Sequence, residues 1–213
     1  MDALTRQLTS GAQALGIELT AAQQQQLMDY LQLLLKWNKA YNLTAIREPA
    51  DMVALHLLDS LAVHNHLGEA QRIIDVGTGP GLPGIMLAIM NPHKDFTLLD
   101  SNGKKTRFLF QAKTSLKLDR VSIVNDRVEA YKPAQPFDMI VSRAFASLYD
   151  MTHWCQHLCA PEGCFLAMKG QYPDQEITEL ENRFEVVESH AVQIPGVDAE
   201  RHLLQLRPTQ VSA

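Results

Sequence analysis

The sequence predicts an open α/β fold: a doubly wound, mostly parallel sheet with an antiparallel edge, preceded by a helical cap. Three observations carry that prediction. The stretch Arg72-Ile73-Ile74-Asp75-Val76-Gly77-Thr78-Gly79-Pro80-Gly81-Leu82-Pro83-Gly84-Ile85 reads as a buried strand, a tight loop and a helix start. Beyond it, strand and helix patterns alternate. The last two apolar runs, 184–194 and 202–206, have no helix pattern between them and read as a terminal strand pair.

The elements follow in order. Leu4, Leu8, Ala12 and Leu15 mark a first helix, ended by Gly16. Thr20 caps a longer one, with Leu27, Tyr30, Leu31, Leu34 and Trp37 at helical spacing. It runs into Lys36-Trp37-Asn38-Lys39-Ala40-Tyr41-Asn42-Leu43-Thr44, where basic, aromatic and amide side chains interleave. Such a run can contact phosphates and stack on bases, and can equally be the polar rim of a helix end. Pro49 starts a third helix with an apolar face of Met52, Leu55, Leu58, Leu61 and Ala62, on which His56 and Asp59 share a side. Residues 1–70 are therefore expected to form the cap and 71–213 the core.

After the glycine loop come a short helix over 85–90 and a strand over 96–100 that ends in Asp100, 25 residues beyond Asp75. In nucleotide-binding α/β folds an acid at this place accepts hydrogen bonds from ribose hydroxyls. A helix over 103–117 turns its lysines outward, a strand over 121–124 leads into Asn125-Asp126-Arg127-Val128-Glu129, and a strand over 137–143 ends in Ser142-Arg143. Residues 148–158 read as a helix, 163–168 as a strand closed by Lys169-Gly170, and 173–180 as a helix. His153, Cys155, His157 and Cys159 have a metal-ligand look, but at 100° per residue the histidines and the cysteines point to different faces, so no metal is expected.

Bulk properties bound the rest. With 213 residues, 46% of them apolar, the chain can bury a full core. It has no continuous apolar run of membrane-spanning length, and Met1-Asp2-Ala3-Leu4-Thr5 lacks a leader pattern, so no membrane partner is expected. Its three cysteines make no disulfide framework, which points to the reducing cytoplasm. The net charge is −5, yet residues 104–132 carry eight basic side chains against three acids, while 170–213 carry eight acids against three bases. That polarity can turn a basic face to phosphates, or be a solvated helix face.

The spacing of the central loop selects among ligands. A dinucleotide fingerprint places its third glycine where this chain has Leu82. The observed Asp75-x-Gly77-x-Gly79-x-Gly81 instead resembles the first motif of class I, Rossmann-like, S-adenosylmethionine (SAM) methyltransferases. With glycine at 77, 79 and 81, one edge of the loop is expected to be bare backbone against which a flat ligand can lie.

Five segments together resemble one family more narrowly: the Lys36–Thr44 run, His56-Leu57-Leu58-Asp59-Ser60, the glycine loop, Ser142-Arg143-Ala144-Phe145-Ala146-Ser147, and Glu200-Arg201-His202-Leu203. They look like the signatures of the bacterial 16S ribosomal RNA guanine-N7 methyltransferases, also called glucose-inhibited division protein B. The resemblance implies SAM held by the residues matching Gly77, Leu82, Val128, Glu129 and Arg143, and methylation of N7 of a guanine in the decoding region of the small subunit. Two positions depart from the family pattern. Asn102 stands where leucine is usual, removing an apolar contact to adenine, and Leu55 stands where a basic residue is usual, removing an RNA contact.

The chemistry agrees. N7 offers a free lone pair and needs no base. The place of an amine-methylating Asn-Pro-Pro-Tyr motif holds Ser142-Arg143-Ala144-Phe145, and no Pro-Cys pair suits carbon methylation. The expected cofactor site is Asp75, Gly77, Thr78, Gly79, Gly81, Leu82, Asp100, Ser101, Arg127, Val128, Glu129 and Arg143. Arg143 and Lys169 are expected to orient cofactor or substrate, and Lys36, Lys39, Asn42, His56, Lys104, Lys105 and Arg201 to meet RNA. The expected partner is the small-subunit RNA, with no DNA, and the expected state is a monomer. Two alternatives remain: a non-catalytic SAM-binding ribosome-assembly factor and, further off, a NAD-linked oxidoreductase.

Overall fold

The computed structural model describes residues 2–143, 145, 147–180 and 183–209. Seven strands form one sheet: β1 (Arg72–Val76), β2 (Asp95–Leu99), β3 (Val121–Val124), β4 (Phe137–Ser142), β5 (Cys159–Lys169), β6 (Phe184–Ala191) and β7 (His202–Pro208). Their order is β3-β2-β1-β4-β5-β7-β6. β1 to β5 pair in parallel, while β7 runs antiparallel to both β5 and β6. The doubly wound sheet with an antiparallel edge is therefore observed. The order reverses at β1 and β4, the switch point where α/β sheets open a crevice at their carboxyl ends.

Successive strand residues face opposite sides of the sheet, so Ile73 and Ile74 enter different hydrophobic clusters. On the first face lie α1 (Asp2–Ala14), α2 (Ala21–Tyr41), α3 (Pro49–Met52), α4 (Asp59–Leu61), α5 (Gly84–Met90) and α6 (Gly103–Leu116). Leu8, Leu27, Leu31, Leu34, Leu58 and Leu61 of the N-terminal helices share one buried cluster with Ile85, Phe108 and Leu109. On the second face α7 (Leu148–Cys155) supplies Leu148, Met151 and Cys155, and Leu180, just beyond the short α8 (Asp174–Thr178), joins them.

Local signals act where expected. Thr20 and Gln23 form a capping box, the Thr20 hydroxyl accepting from the Gln23 N–H at 3.2 Å and the Gln23 side chain from the Thr20 N–H at 3.0 Å. Asn102 caps α6, accepting from the Lys104 N–H at 2.9 Å. That capping bond gives the asparagine a reason to stand where the family pattern has leucine. Besides β6, which stops at Ala191 and not at 194, two elements differ from expectation. β5 begins four residues earlier than the 163–168 reading, because Cys159 pairs with Phe137 across an irregularity in register. The third helix is not uniformly α: between α3 and α4 the segment Val53–Leu58 is π-helical. Such wide turns are frequent at functional sites.

Candidate active site

Two cavities flank the carboxyl end of β4. The first, about 330 Å³, is lined by Val76 and Gly77 at the end of β1, Leu99, Asp100 and Ser101 at the end of β2, Lys105 of α6, Asp126, Arg127, Val128 and Glu129 after β3, and Phe145 after β4. Its loop is tied to β2. The N–H groups of Gly77 and Thr78 donate to the Leu99 carbonyl at 2.9 and 3.1 Å. The Gly79 N–H donates to Asp100 Oδ2 at 2.9 Å, and Asn102 N–H to Asp100 Oδ1 at 2.8 Å. Each Asp100 oxygen keeps a lone pair for a ligand's hydroxyl.

The glycines do not act alike. A Cβ at Gly79 (φ +61°) would meet only Lys105 Nζ at 3.9 Å, so here the backbone is bare. A Cβ at Gly81 (φ +97°) would lie 2.6 Å from Ile85 and 3.0 Å from Leu109. Gly81 is thus required by helix packing, which corrects the expectation of a single bare edge over all three positions.

Asp75 has a structural task. It is buried, and its Oδ2 accepts from the Thr78 hydroxyl at 2.6 Å and the Gly84 N–H at 2.8 Å, closing the loop from beneath. Burial pushes its carboxyl up to about 6, against the pull of those two bonds and of Arg143. Its Oδ1 has no hydrogen-bond partner among the described residues. Asp75, Thr78, Gly79, Gly81 and Leu82 stand outside the cavity lining, and Asp75, Thr78 and Leu82 are almost fully buried. Tyr30 of the cap adds a brace missed in the sequence: its hydroxyl donates to the Pro80 carbonyl at 2.8 Å.

The second cavity, about 420 Å³, is lined by Ile46, Leu55, His56, Asp59, Arg143, Met168, Lys169, Gly170 and Arg201. Asp59 is its centre. Buried at the end of the π-helical segment, it accepts from Arg201 Nε at 2.7 Å on Oδ1 and from Arg143 Nη1 at 3.2 Å on Oδ2. Arg143 Nη1 also donates to the Leu55 carbonyl at 3.3 Å, and Arg201 Nη1 to the Glu200 carbonyl at 2.8 Å.

His56 turns to Thr44, not to Asp59 as the helical spacing allowed. Its Nδ1 lies 3.1 Å from the Leu55 carbonyl and so donates, leaving Nε2 to accept from the Thr44 hydroxyl at 2.8 Å. Burial, reinforced by Arg143, lowers its pKa to about 4, so the ring is neutral at pH 7. Lys169 Nζ lies 2.8 Å from Glu176, which also accepts the Leu148 N–H at 2.7 Å at the start of α7.

Of the residues expected to meet RNA, His56 and Arg201 line the second cavity together with Arg143 and Lys169. Lys105 lies in the first cavity, 3.7 Å from Asp100. Lys36, Lys39 and Lys104 are exposed outside both. Asn42 is committed to the fold as the left-handed C-cap of α2 (φ 49°), its Oδ1 accepting from Arg47 at 2.7 Å. Phe145, Asp126 and Ile46 were not named as site residues, though Asp126 falls in the Asn125–Glu129 run and Phe145 in the Ser142–Ser147 segment, of which Ala144 and Ala146 lie outside the described residues; Ile46 had no signal. The His/Cys group near α7 is dispersed: Cys155 is buried with its thiol pushed up to about 12, His153 stacks on Tyr149, and His157 bonds the Tyr131 carbonyl. No described helix is long and apolar enough to cross a membrane.

Comparison with known proteins gives the same picture from outside. The GidB family model, described as rRNA small subunit methyltransferase G, matches residues 23–204. Curated relatives named ribosomal RNA small subunit methyltransferase G include one from Alteromonas mediterranea, 54% identical over 200 residues and covering 94% of each chain. Another, from Pseudomonas aeruginosa, is 53% identical over 203 residues, 95% of each. Among solved structures, the glycopeptide N-methyltransferase MtfA superposes with a TM-score of 0.61 at 12% identity, covering 70% of this chain and 94% of its own. The N-methyltransferase NodS of Bradyrhizobium japonicum gives 0.53 at 21% identity, covering 71% and 93%. These structural likenesses show the class I methyltransferase fold. With the family model spanning most of the sequence and relatives matched almost end to end, the chain belongs to the rRNA small subunit methyltransferase G family.

Proposed function

We propose that the chain transfers the methyl group of SAM to N7 of a guanine in the decoding region of 16S ribosomal RNA, acting in the cytoplasm as a monomer. The observation that carries this reading is the second cavity's lack of an idle base among its described lining residues. His56 is neutral with both ring nitrogens engaged, Asp59 sits between two guanidiniums, and Lys169 is paired with Glu176. A nucleophile that must lose a proton finds no acceptor there, whereas N7 attacks with a lone pair it already has.

The first cavity fits SAM. Val76, Leu99, Val128 and Phe145 give apolar walls for a purine, and Asp100 accepts from ribose hydroxyls. Bound SAM supplies an electrophilic methyl sulfonium. The protein's part is to hold the guanine beside it: Arg143 and Phe145, two residues apart, line different cavities, so the acceptor site adjoins the donor site across one strand end. Arg143 and Arg201 can donate to guanine O6 while leaving N7 clear. Asp59 sets the position of both, and Lys169 supplies a further cation at the rim. Only positioning and charge are needed, and no proton moves.

Labelled methyl transfer from SAM to small-subunit RNA, bare and in assembled subunits, tests the reading. Transfer to at least one is expected. SAM binding without transfer to either would favour a ribosome-assembly factor, and tighter binding of NAD than of SAM would favour an oxidoreductase.

A further inference from the structure

We propose that the outward ring of Tyr41 is a stacking platform for an unpaired RNA base flanking the target guanine; this rests on the reading of the chain as an RNA methyltransferase. Tyr41 is 43% exposed, yet it is not loose. Its ring stacks on Trp37 with centroids 5.1 Å apart and planes at 27°, and Trp37 meets the buried Phe108 of α6 edge-on at 5.8 Å. Three rings thus climb from the core to the surface, and the topmost keeps a face in solvent. A ring fixed from below loses little freedom when a base covers it.

Its surroundings suit a polyanion. Arg47 is held against the end of α2 by the Asn38 carbonyl and Asn42 Oδ1, at 3.3 and 2.7 Å. Lys36 and Lys39 are exposed on the last two turns of the same helix, on other sides of it than Tyr41, and Lys104 lies one turn before Phe108. Glu48, exposed beside Arg47, is the nearest acid in sequence. Aromatic faces among cations are how proteins hold single-stranded RNA.

The ring stack lines neither cavity, but the two helices that carry it are linked to both. Asn38 donates to the Ile46 carbonyl at 3.2 Å and accepts from the Thr44 N–H at 2.9 Å. Ile46 lines the second cavity, and Thr44 holds His56 there. On the other side, Phe108 lies on the same helix as Lys105, which lines the first cavity. A guanine drawn into the second cavity leaves its neighbours unstacked, and Tyr41 stands where one of them can be caught.

Tyr41→Leu keeps apolar cover on Trp37 but cannot stack a base; Tyr41→Phe keeps the ring. Affinity for a single-stranded decoding-region RNA fragment and for assembled small subunits is measured for both variants, with SAM affinity and melting temperature as controls. The leucine variant is expected to bind the fragment about tenfold more weakly, with unchanged SAM affinity, and the phenylalanine variant to match wild type. Three results overturn the platform: wild-type RNA affinity in Tyr41→Leu, an equal loss in Tyr41→Phe, or a loss confined to assembled subunits, which would mark a ribosomal-protein contact. If the wild-type chain transfers no methyl to RNA, the underlying reading fails instead; if it transfers and Tyr41→Leu binds normally, only the platform fails.

Discussion

The two cavities are built by opposite means. The first is made of strand ends and the short stretches that follow them: 76–77, 99–101 with Lys105, 126–129 and 145. Much of its geometry is backbone, as in the Gly77, Thr78 and Gly79 N–H groups tied to Leu99 and Asp100. The second is made of charged side chains delivered from segments far apart, and one carboxylate, Asp59, joins Arg143 and Arg201 across 84 and 142 positions. A backbone-built site comes with the fold; a side-chain-built site depends on a few long-range pairs. The first should therefore tolerate loss of the second, and substitutions should separate the two functions.

Asp59→Ala should separate them most. It leaves two guanidiniums without their shared partner, so we expect methyl transfer to fall by about 100-fold in kcat/KM, a loss on the scale of misplaced reacting groups. Stability should drop by about 3 kcal/mol, as for a broken buried ion pair. SAM affinity should hold within about threefold, since a backbone-built cavity does not lean on Asp59. Steady-state kinetics and calorimetric titration check this, and a parallel fall in SAM affinity would break the comparison. Asp100→Asn should give the mirror image: SAM binding weaker by about 2 kcal/mol, the scale of hydrogen bonds to a charged acceptor, with RNA affinity unchanged.

Within the first cavity, the glycines sharpen the contrast between packing and ligand contact. Gly81→Ala should destabilise by about 2 kcal/mol, because φ is +97° and the new methyl meets Ile85 and Leu109. Gly79→Ala should cost about 1 kcal/mol for its φ alone, and weaken SAM binding out of proportion to that. Urea unfolding paired with SAM titration distinguishes the two.

The smallest effect is one of pH. His56, lowered from 6.5 to about 4, binds its proton more readily when unfolded, so its share of stability is present above pH 6.5 and is lost as pH falls toward 4. Asp75, raised from 3.8 to about 6, acts the other way: its share is present below 3.8 and is lost as pH rises through 6. The two act in opposite directions between pH 4 and 6. His56→Gln should uncover the Asp75 slope, the variant gaining stability on wild type as pH falls from 6 to 4. Melting curves across that range check it.

The same contrast explains what could be read in the sequence. The sheet, its antiparallel edge and the glycine loop followed by Asp100 are local patterns of periodicity and turn chemistry, and each appears in the structure. What escaped depends on three-dimensional neighbours. Gly81 looks like Gly79 in sequence, but Ile85 and Leu109 crowd only one of them. The lysines 104 and 105 are adjacent, yet only Lys105 lines the first cavity. No spacing rule announced the π-helical Val53–Leu58 segment, which sends His56 to Thr44 and ends beside Asp59. Residues of the second cavity were legible only as scattered motifs, because the hydrogen bonds that unite them cross most of the chain.

The central claim is that the second cavity presents a guanine N7 that needs no deprotonation. The most direct measurement is the identity of the product base: small-subunit RNA methylated by the wild-type chain, digested to nucleosides and resolved by mass spectrometry. The expected methylated nucleoside is 7-methylguanosine, with about a hundredth as much formed by Asp59→Ala at matched time. A methyl group on an exocyclic amine, a ribose hydroxyl or a pyrimidine carbon would contradict it.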